Sequence, residues 1–310
     1  PVTVLRGFPG LVIGTEWADS VTTGPYDAYT PKQRAALAEA NPYSFLHVTR
    51  SQEDVPADKQ DDIDGLIAGC ATSMQRIYDA GAYVEHGEPS LFLYRMEVGD
   101  HSQTGILGVV PVTDPDDRRI LRHESVRPGR ADLLTRHLLE VGMSSSPISL
   151  TYRTDEALDS VIASCTAGQP ILESTSEGVH QTVWAVAGGD ADALIGAMGD
   201  RTLYVTDGHH RLAAAEEARN RVAPTHPDHP LQWTEAVLFP DAQMLVLPFH
   251  RRVGDRAGRS AAKIIEALSE CGPLQPRVDA EDARPTGPGT VGVYVGGQWF
   301  SLELPAATGS

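Results

Sequence analysis

The residues best suited to chemistry form the run Asp207-Gly208-His209-His210-Arg211, between a strand-like segment and an alanine-rich helical segment. Gly208 permits a tight turn and close approach of a ligand, and the helix is predicted to begin near His209. Free backbone N–H groups and the positive end of the helix dipole favour a phosphate there. Arg211 adds a planar fork for phosphate oxygens, the histidines add donors that can become cationic, and Asp207 could hold Mg²⁺. The run predicts a phosphate cradle, unless its charged residues only cap a helix.

Two adjacent histidines also raise the alternative of a zinc site. Adjacent residues of a helix point about 100° apart, so His209 and His210 seldom bind one ion together. The i, i+4 histidine pair of an HExxH motif would do so, and no HExxH occurs. Zinc is therefore a minor alternative to a phosphate at this position.

A second polar segment, Arg122-His123-Glu124 with Arg127 and Arg130 behind it, could supply acid–base chemistry. A glutamate in a partly dry pocket can accept the proton of a hydroxyl. Neighbouring cations keep such a glutamate ionised and can also bind phosphate or carboxylate. Taken alone, a segment of this kind is more often a charged surface loop.

Two further segments carry weaker signals. His250 and Arg251, in the run LPFHRRV, could clamp an anion, although a solvated basic turn is the simpler interpretation. Tyr26 and Asp27, in the N-terminal loop, are equally ambiguous candidates for substrate contacts. The chain has no P-loop, no Rossmann glycine fingerprint and no serine-hydrolase elbow, so a nucleotide would need a different cradle.

The elements that must position these residues are predicted to alternate between strands and helices. The strand TLYVT leads into the DGHHR run, and RRILRHESVRPGR resembles a short strand and turn before a helix from about residue 131 to 141. Several antiparallel hairpins are predicted, and Gly296-Gly297 marks the turn of the last one. Mixed elements with antiparallel hairpins indicate an α+β fold.

Charge and composition exclude several classes of protein. The 310 residues include 42 Asp and Glu against 25 Lys and Arg, for a formal net charge of -17. Nucleic-acid binding needs clustered basic residues, and no basic run occurs. No apolar run approaches the roughly 20 residues of a membrane span. The three cysteines form no CxxC pair. We therefore expect a cytoplasmic protein with neither a nucleic-acid nor a membrane partner.

Over nearly the whole chain, the sequence resembles a broad bacterial family of uncharacterised proteins that carry DGHHR. The landmarks are RGF, GPYD, NPYSFLHV, LRHES, SSSPISLTY, YVTDGHHRLAAA, LPFHRRV and GVYVGGQWFSLEL. The strand-DGHHR-helix unit also resembles the phosphate-binding box of the ParB/sulfiredoxin-like fold, particularly its free serine kinase branch. This resemblance implies a nucleotide-binding core over residues 116–255, an N-terminal α+β region over 1–115, and a C-terminal helix and hairpin over 256–310.

The resemblance also implies roles for individual residues. The kinase branch has a K/R-P-H-E motif whose glutamate activates the substrate hydroxyl, and Arg122-His123-Glu124 matches it here. Glu124 is thus implied as the base, with His123 and Asp207 as further catalytic residues. The DGHHR run is assigned to nucleotide phosphates, with Mg²⁺ on Asp207. The candidate substrate contacts are Arg122, Arg127, His250, Arg251, Tyr26 and Asp27.

These expectations describe a small-molecule kinase. It would transfer a phosphoryl group from ADP or ATP to the hydroxyl of free L-serine or a related hydroxylated metabolite. A catalytically inactive nucleotide-binding regulatory protein is an alternative, because Leu121-Arg122 stands where the motif has a basic residue and proline. A nucleotide hydrolase or phosphatase, with water as the acceptor, is another. The oligomeric state stays open.

Overall fold

The computed structural model describes residues 4–24, 26–113, 117–223, 225–245 and 250–305. The fold is α+β, which confirms the predicted class. The chain divides into two compact units, Pro1–Leu245 and Val246–Ser310. The predicted boundary between residues 115 and 116 lies outside the described residues.

The first unit mixes helices and strands along the chain. Its helices are α1 (Ala18–Val21), α2 (Pro31–Ala40), α3 (Ile63–Asp79), α4 (Pro128–Val141), α5 (Glu156–Cys165), α6 (Gly188–Met198) and α7 (His209–Val222). Its strands are β1 (Phe8–Ile13), β2 (Tyr83–Val98), β3 (His101–Pro111), β4 (Ile120–Leu121), β5 (Ile148–Tyr152), β6 (Leu172–Ser176), β7 (Val179–Val186), β8 (Leu203–Asp207) and β9 (Trp233–Pro240). Helix α4 begins about one turn earlier than predicted, because proline is favoured in the first turn of a helix.

Within the described residues, nine strands form one sheet in the order β4-β8-β5-β9-β3-β2-β7-β6, with β1 paired to β2. Two neighbouring pairs, β4 with β8 and β5 with β9, are parallel, and the other pairs are antiparallel. Strands from both predicted regions, residues 1–115 and 116–255, lie in this sheet. Strands β4 and β8, which lead into the two polar segments selected from the sequence, are neighbours in this sheet.

The core of the first unit follows from alternation along the central strands. Leu150 of β5 is in register with Val205 of β8 and Leu238 of β9, and Leu238 is in register with Ile106 of β3. All four side chains are fully buried. Side chains in register share one face of a sheet, so these residues form a continuous apolar row. Leu158 of α5 and Leu194 of α6 belong to the same core cluster.

Helices α4 and α7 pack against each other, and α7 also contacts β5. Ala214, Ala215 and Ala218 of α7 are buried, and small side chains permit a close approach between helices. The hydroxyl of the fully buried Thr135 in α4 donates to the carbonyl of Ala214 at 3.4 Å. This packing fixes the start of α7 relative to the loop that leads into α4.

The second unit contains α8 (Ala261–Cys271) and the strands β10 (Leu274–Arg277), β11 (Thr290–Val295) and β12 (Gln298–Glu303). Its described strands form an antiparallel sheet in the order β10-β12-β11. Gly296 and Gly297, both with positive φ, join β11 to β12 and confirm the predicted hairpin turn. In the part of the chain that the structure describes, no helix combines the length and the apolar character needed to span a membrane.

Candidate active site at the ends of two parallel strands

The two polar segments meet because β4 and β8 are parallel neighbours. Ile120 of β4 is in register with Leu203 of β8. The carboxyl ends of parallel neighbouring strands lie at the same edge of a sheet. Residues 122–124 follow β4 and residues 207–211 complete β8 and begin α7, so both segments lie at that edge.

Gly208 makes the turn from β8 into α7. Its φ of 97° lies in the left-handed region, and α7 begins at His209 as predicted. A Cβ at this position would lie 3.0 Å from the Nε and Nη2 atoms of Arg211. The backbone conformation therefore favours glycine, and a Cβ here would make the Arg211 guanidinium move by a few tenths of an ångström.

The two histidines of the run hold the β4–α4 loop through its backbone. The N–H of His123 donates to Nε2 of His209 at 3.4 Å, and the N–H of Arg127 donates to Nε2 of His210 at 3.1 Å. Because each Nε2 accepts a hydrogen bond, the neutral ring carries its proton on Nδ1. The loop and the first turn of α7 thus form one hydrogen-bonded unit.

Arg122 also contacts α7. Its guanidinium forms a bidentate ion pair with Glu216, with Nη1 3.0 Å from Oε2, and donates to the carbonyl of Thr113 at 3.2 Å. Both charged side chains are largely buried. In the structure Arg122 fastens the loop to α7, and its role as a substrate contact stays a prediction.

Glu124 lies beside the ring of His209. One carboxylate oxygen, Oε2, is 3.6 Å from Nδ1 of His209. The His209 side chain is only 3% exposed, whereas that of Glu124 is 61% exposed. The expected dry pocket around Glu124 is therefore absent from the described structure. The carboxylate is open to solvent and is supported from one side by a buried imidazole.

The ring of His123 completes this group. It packs edge-on against the ring of His209, with ring centres 4.5 Å apart. Ligand atoms of His123, Glu124 and His209 all lie within 4.8 Å of one another, so their types and spacing could hold a metal ion. However, a metal on Nδ1 of His209 requires the proton on Nε2, where the N–H of His123 already points. The geometry therefore favours a His209 ring whose Nδ1 faces the carboxylate of Glu124 over a metal centre.

The surroundings of both histidines of the run lower their pKa and so favour the neutral rings. Burial lowers the pKa of His209, and the neighbouring His123 lowers it further. Burial also lowers the pKa of His210, with added effects from the charges of Arg130 and Arg127. A neutral ring is the form in which Nε2 can accept a backbone hydrogen bond. The predicted ability of these histidines to become cationic stays a prediction.

Asp207 and Arg211 contact each other across the turn. Arg211 donates to Oδ2 of Asp207, and the Asp207 side chain is 75% exposed. Magnesium prefers oxygen ligands and in nucleotide sites needs only one or two carboxylates, because water and phosphate oxygens complete its shell. The exposed carboxylate of Asp207 fits such a site, although it shares Oδ2 with Arg211.

Glu235 is a residue of this edge that the sequence analysis missed. Ser149 of β5 is in register with Asp207 on one side and with Val237 of β9 on the other. Glu235 lies two residues before Val237, so the same edge carries its carboxyl group. Burial raises the pKa of this carboxyl, and the charge of Arg211 opposes the rise. The only sequence signal was a single acid before the apolar run AVLF.

Comparison with known proteins gives a family. A family model described as a protein of unknown function, DUF1015, matches residues 5–309. This chain belongs to the DUF1015 family. No curated protein and no solved structure matches this DUF1015 chain. Its activity must therefore be argued from the site itself.

Tyr26 of this DUF1015 chain lies in a separate polar cluster. Its hydroxyl donates to Oδ2 of Asp54 at 2.9 Å, and the guanidinium of Arg34 lies 3.8 Å from its ring centre. Arg34 and Asp54 are both buried and form an ion pair at 2.7 Å. Burial raises the pKa of Tyr26 to about 12. These contacts give Tyr26 a structural role, and its role as a substrate contact stays a prediction. The side chain of Asp27 lies outside the described residues.

The remaining candidates are basic residues. Arg127 directly precedes α4, and both Arg127 and Arg130 lie close enough to His210 to lower its pKa. His250 and Arg251 belong to the second unit and are exposed. Residues 247–249, which precede them in the LPFHRRV run, lie outside the described residues. Among the described residues, the backbone N–H of Arg127 bonds His210, and the charges of Arg127 and Arg130 both act on His210, whereas Tyr26 lies in its own polar cluster.

Proposed function

We propose that this DUF1015 protein is a small-molecule kinase. It would transfer a phosphoryl group from ADP or ATP to the hydroxyl of free L-serine or a related hydroxylated metabolite. The position of Glu124 carries the proposal: its carboxylate lies beside the first residue of α7, at the edge where the β8–α7 turn offers a phosphate cradle. Phosphoryl transfer needs positioning and electrostatic stabilisation more than covalent catalysis by the protein. We further propose that the sheet and α7 form a ParB/sulfiredoxin-like core.

The cradle consists of the first N–H groups of α7, His210 and Arg211. Gly208 has no side-chain oxygen to cap those N–H groups, and the helix dipole makes the position favourable for an anion. His210 uses Nε2 on the loop, which leaves its Nδ1–H to donate. Arg211 would stabilise charge on the transferred group. Mg²⁺ held by Asp207 would neutralise phosphate charge when bound.

The proton of the acceptor hydroxyl would pass to Glu124. As that proton leaves, the hydroxyl oxygen attacks the terminal phosphorus, and the bond from this phosphorus to its bridging oxygen breaks. ATP then leaves as ADP, or ADP leaves as AMP. The exposure of Glu124 gives an acceptor direct access from solvent. Arg127 and Arg130 supply nearby positive charge for an acceptor that carries a carboxylate.

A nucleotide-binding regulatory protein without turnover is the second candidate. Arg122 stands where the kinase motif has proline, and its guanidinium is bound to Glu216. The loop is thus held by a contact that the motif does not predict, and Glu124 is not enclosed. The same cradle would then bind a nucleotide without delivering its phosphate.

Phosphorus NMR on the full chain separates these functions. The protein would be mixed with Mg²⁺ and ADP or ATP, alone and with L-serine or a panel of hydroxylated metabolites. We expect a new phosphomonoester signal that requires one particular alcohol and is lost in Arg211→Ala. Nucleotide breakdown without any alcohol would indicate a hydrolase. Bound but unchanged nucleotide across the panel would support the regulatory protein, and absence of nucleotide binding would refute both the kinase and the regulatory protein.

A further inference from the structure

We propose that His209 is a positioning residue that orients Glu124 and the His123 backbone, and that it is not a ligand of the nucleotide phosphates. The inference refines the proposed function, on which its catalytic part depends. It also departs from the resemblance, which assigns both histidines of the DGHHR run to phosphates.

Burial is the first observation behind this assignment. Both ring nitrogens of His209 already face protein groups: Nε2 accepts the N–H of His123, and Nδ1 lies 3.6 Å from the carboxylate of Glu124. The side chain is 3% exposed, and the ring of His123 covers it edge-on. A phosphate oxygen would have to replace Glu124 at Nδ1, because Nε2 has no proton to donate in this tautomer.

His210, in the same turn, differs from His209 in its burial and in the use of its ring nitrogens. It is only partly buried, and its contact with the loop uses Nε2 alone. Its Nδ1–H can therefore serve a ligand while the loop remains fixed. We assign the phosphate contacts of this turn to His210, Arg211 and the backbone N–H groups, and the support of Glu124 to His209.

Two conservative variants separate the two ring nitrogens. In His209→Asn, the side-chain amide group lies near the position of Nδ1 and can still donate to Glu124. In His209→Gln, the longer side chain reaches the position of Nε2, where its oxygen can still accept from His123. Only the asparagine variant keeps the interaction that positions Glu124.

Nucleotide affinity and turnover then give distinct expectations. Calorimetry with Mg²⁺ and ADP should show that both variants bind within about threefold of the wild type, whereas Arg211→Ala loses about tenfold or more. With the acceptor found by phosphorus NMR, His209→Gln should lose about tenfold or more in kcat with little change in KM. The kcat of His209→Asn should be close to that of the wild type. Because His209 acts through Glu124, Glu124→Gln/His209→Gln should be no slower than Glu124→Gln alone.

His137→Gln is the matched control. His137 is another buried histidine on a helix, and its Nε2 lies 2.8 Å from the carbonyl of Val48, away from the polar segments. Its substitution reports the cost of losing any buried imidazole. We expect it to lower the melting temperature without the kcat and KM pattern of His209→Gln.

Three results would overturn the assignment. They are loss of nucleotide affinity in both His209 variants to the level of Arg211→Ala, additive losses of kcat with Glu124→Gln, and a proton on Nε2 of His209 in nitrogen NMR of the wild type. Only the second of these readouts depends on turnover: if the wild type binds nucleotide and phosphorylates nothing, the kinase proposal fails and no kcat is measured. Nucleotide affinity and the His209 tautomer still decide the placement of this residue in that case.

Discussion

His209 and His210 are adjacent in the chain, yet their surroundings assign them different tasks. Both accept a backbone N–H through Nε2, but only His209 has its other nitrogen beside a carboxylate. The residue types alone allowed a phosphate ligand, a zinc ligand or a helix cap. Burial and the direction of two hydrogen bonds reduce these choices, and neither is visible in the spacing of the residues.

Acidification should weaken the hydrogen bond between His210 and the loop. The pKa of His210 is lowered from 6.5 in the folded chain, mainly by burial. As the pH falls below that ordinary value, the unfolded chain binds a proton that the folded chain resists, so the folded state loses stability. The loss continues until the lowered pKa is passed, and it is absent above the ordinary value.

This effect is measured as the melting temperature from pH 7.5 down to 5.5. We expect the melting temperature of the wild type to fall further over that range than the melting temperature of His210→Gln. Glutamine can still accept the N–H of Arg127 and does not titrate. Equal decreases in melting temperature in the two proteins would show that protonation of His210 does not weaken its hydrogen bond with the loop.

Gly208 gives a second prediction at the scale of one residue. Gly208→Ala should cost about 1–2 kcal/mol in the free energy of unfolding because its φ is left-handed, and should also weaken nucleotide binding by displacing Arg211. Gly142→Ala is the control: Gly142 also has positive φ, but a Cβ there meets nothing within 4 Å. Denaturant unfolding should give similar losses for both, and calorimetry should show weaker ADP binding only for Gly208→Ala. Equal ADP affinities would refute the role of the turn in placing Arg211.

Helix α7 is the element that unites the site. Its first turn holds the β4–α4 loop through two histidines, and Glu216 in its second turn binds Arg122 of the same loop. Its buried alanines place it closely against α4. Displacement of α7 would therefore move the proposed phosphate cradle and the proposed base, Glu124, together.

The ion pair of Arg122 and Glu216 tests this connection. Arg122→Met should be strongly destabilising, by about 3–5 kcal/mol, because it leaves the carboxylate of Glu216 largely buried without its cation. The double variant Arg122→Met/Glu216→Met should be less destabilised than the single variant, since no charge is left unpaired. Denaturant unfolding measures both. A single variant as stable as the wild type would show that Arg122 is free for another role.

Local signals in the sequence predicted individual helices and turns better than they predicted which elements pair or pack together. The start of α7 and the hairpin at Gly296-Gly297 were predictable because glycine turns and helix formers act over a few residues. The pairing of β4 with β8 was not, since β4 is two residues long and its partner lies far along the chain. The ion pair of Arg122 and the edge position of Glu235 depend on the same long-range packing. Their chemistry was visible in the residue types, but their neighbours were not.

At the scale of the whole molecule, the net charge of -17 and an anion site are compatible. Distant acidic residues are screened within roughly 10 Å at ordinary ionic strength. The DGHHR run instead experiences the nearby charges of Arg127 and Arg130 and the dipole of α7. The DGHHR run, Glu124 and Glu235 all belong to the first unit, Pro1–Leu245. The family match, over residues 5–309, spans both units.

The rate of phosphoryl transfer in Glu124→Gln, measured by phosphorus NMR beside ADP affinity from calorimetry, tests the central claim most directly. Glu217→Gln, an exposed glutamate on α7, is the control for the loss of one carboxylate. We predict that Glu124→Gln loses about 10²–10⁴-fold in rate, as expected for removal of a general base, and keeps its ADP affinity. An unchanged rate in Glu124→Gln, with the wild type active, would contradict the account.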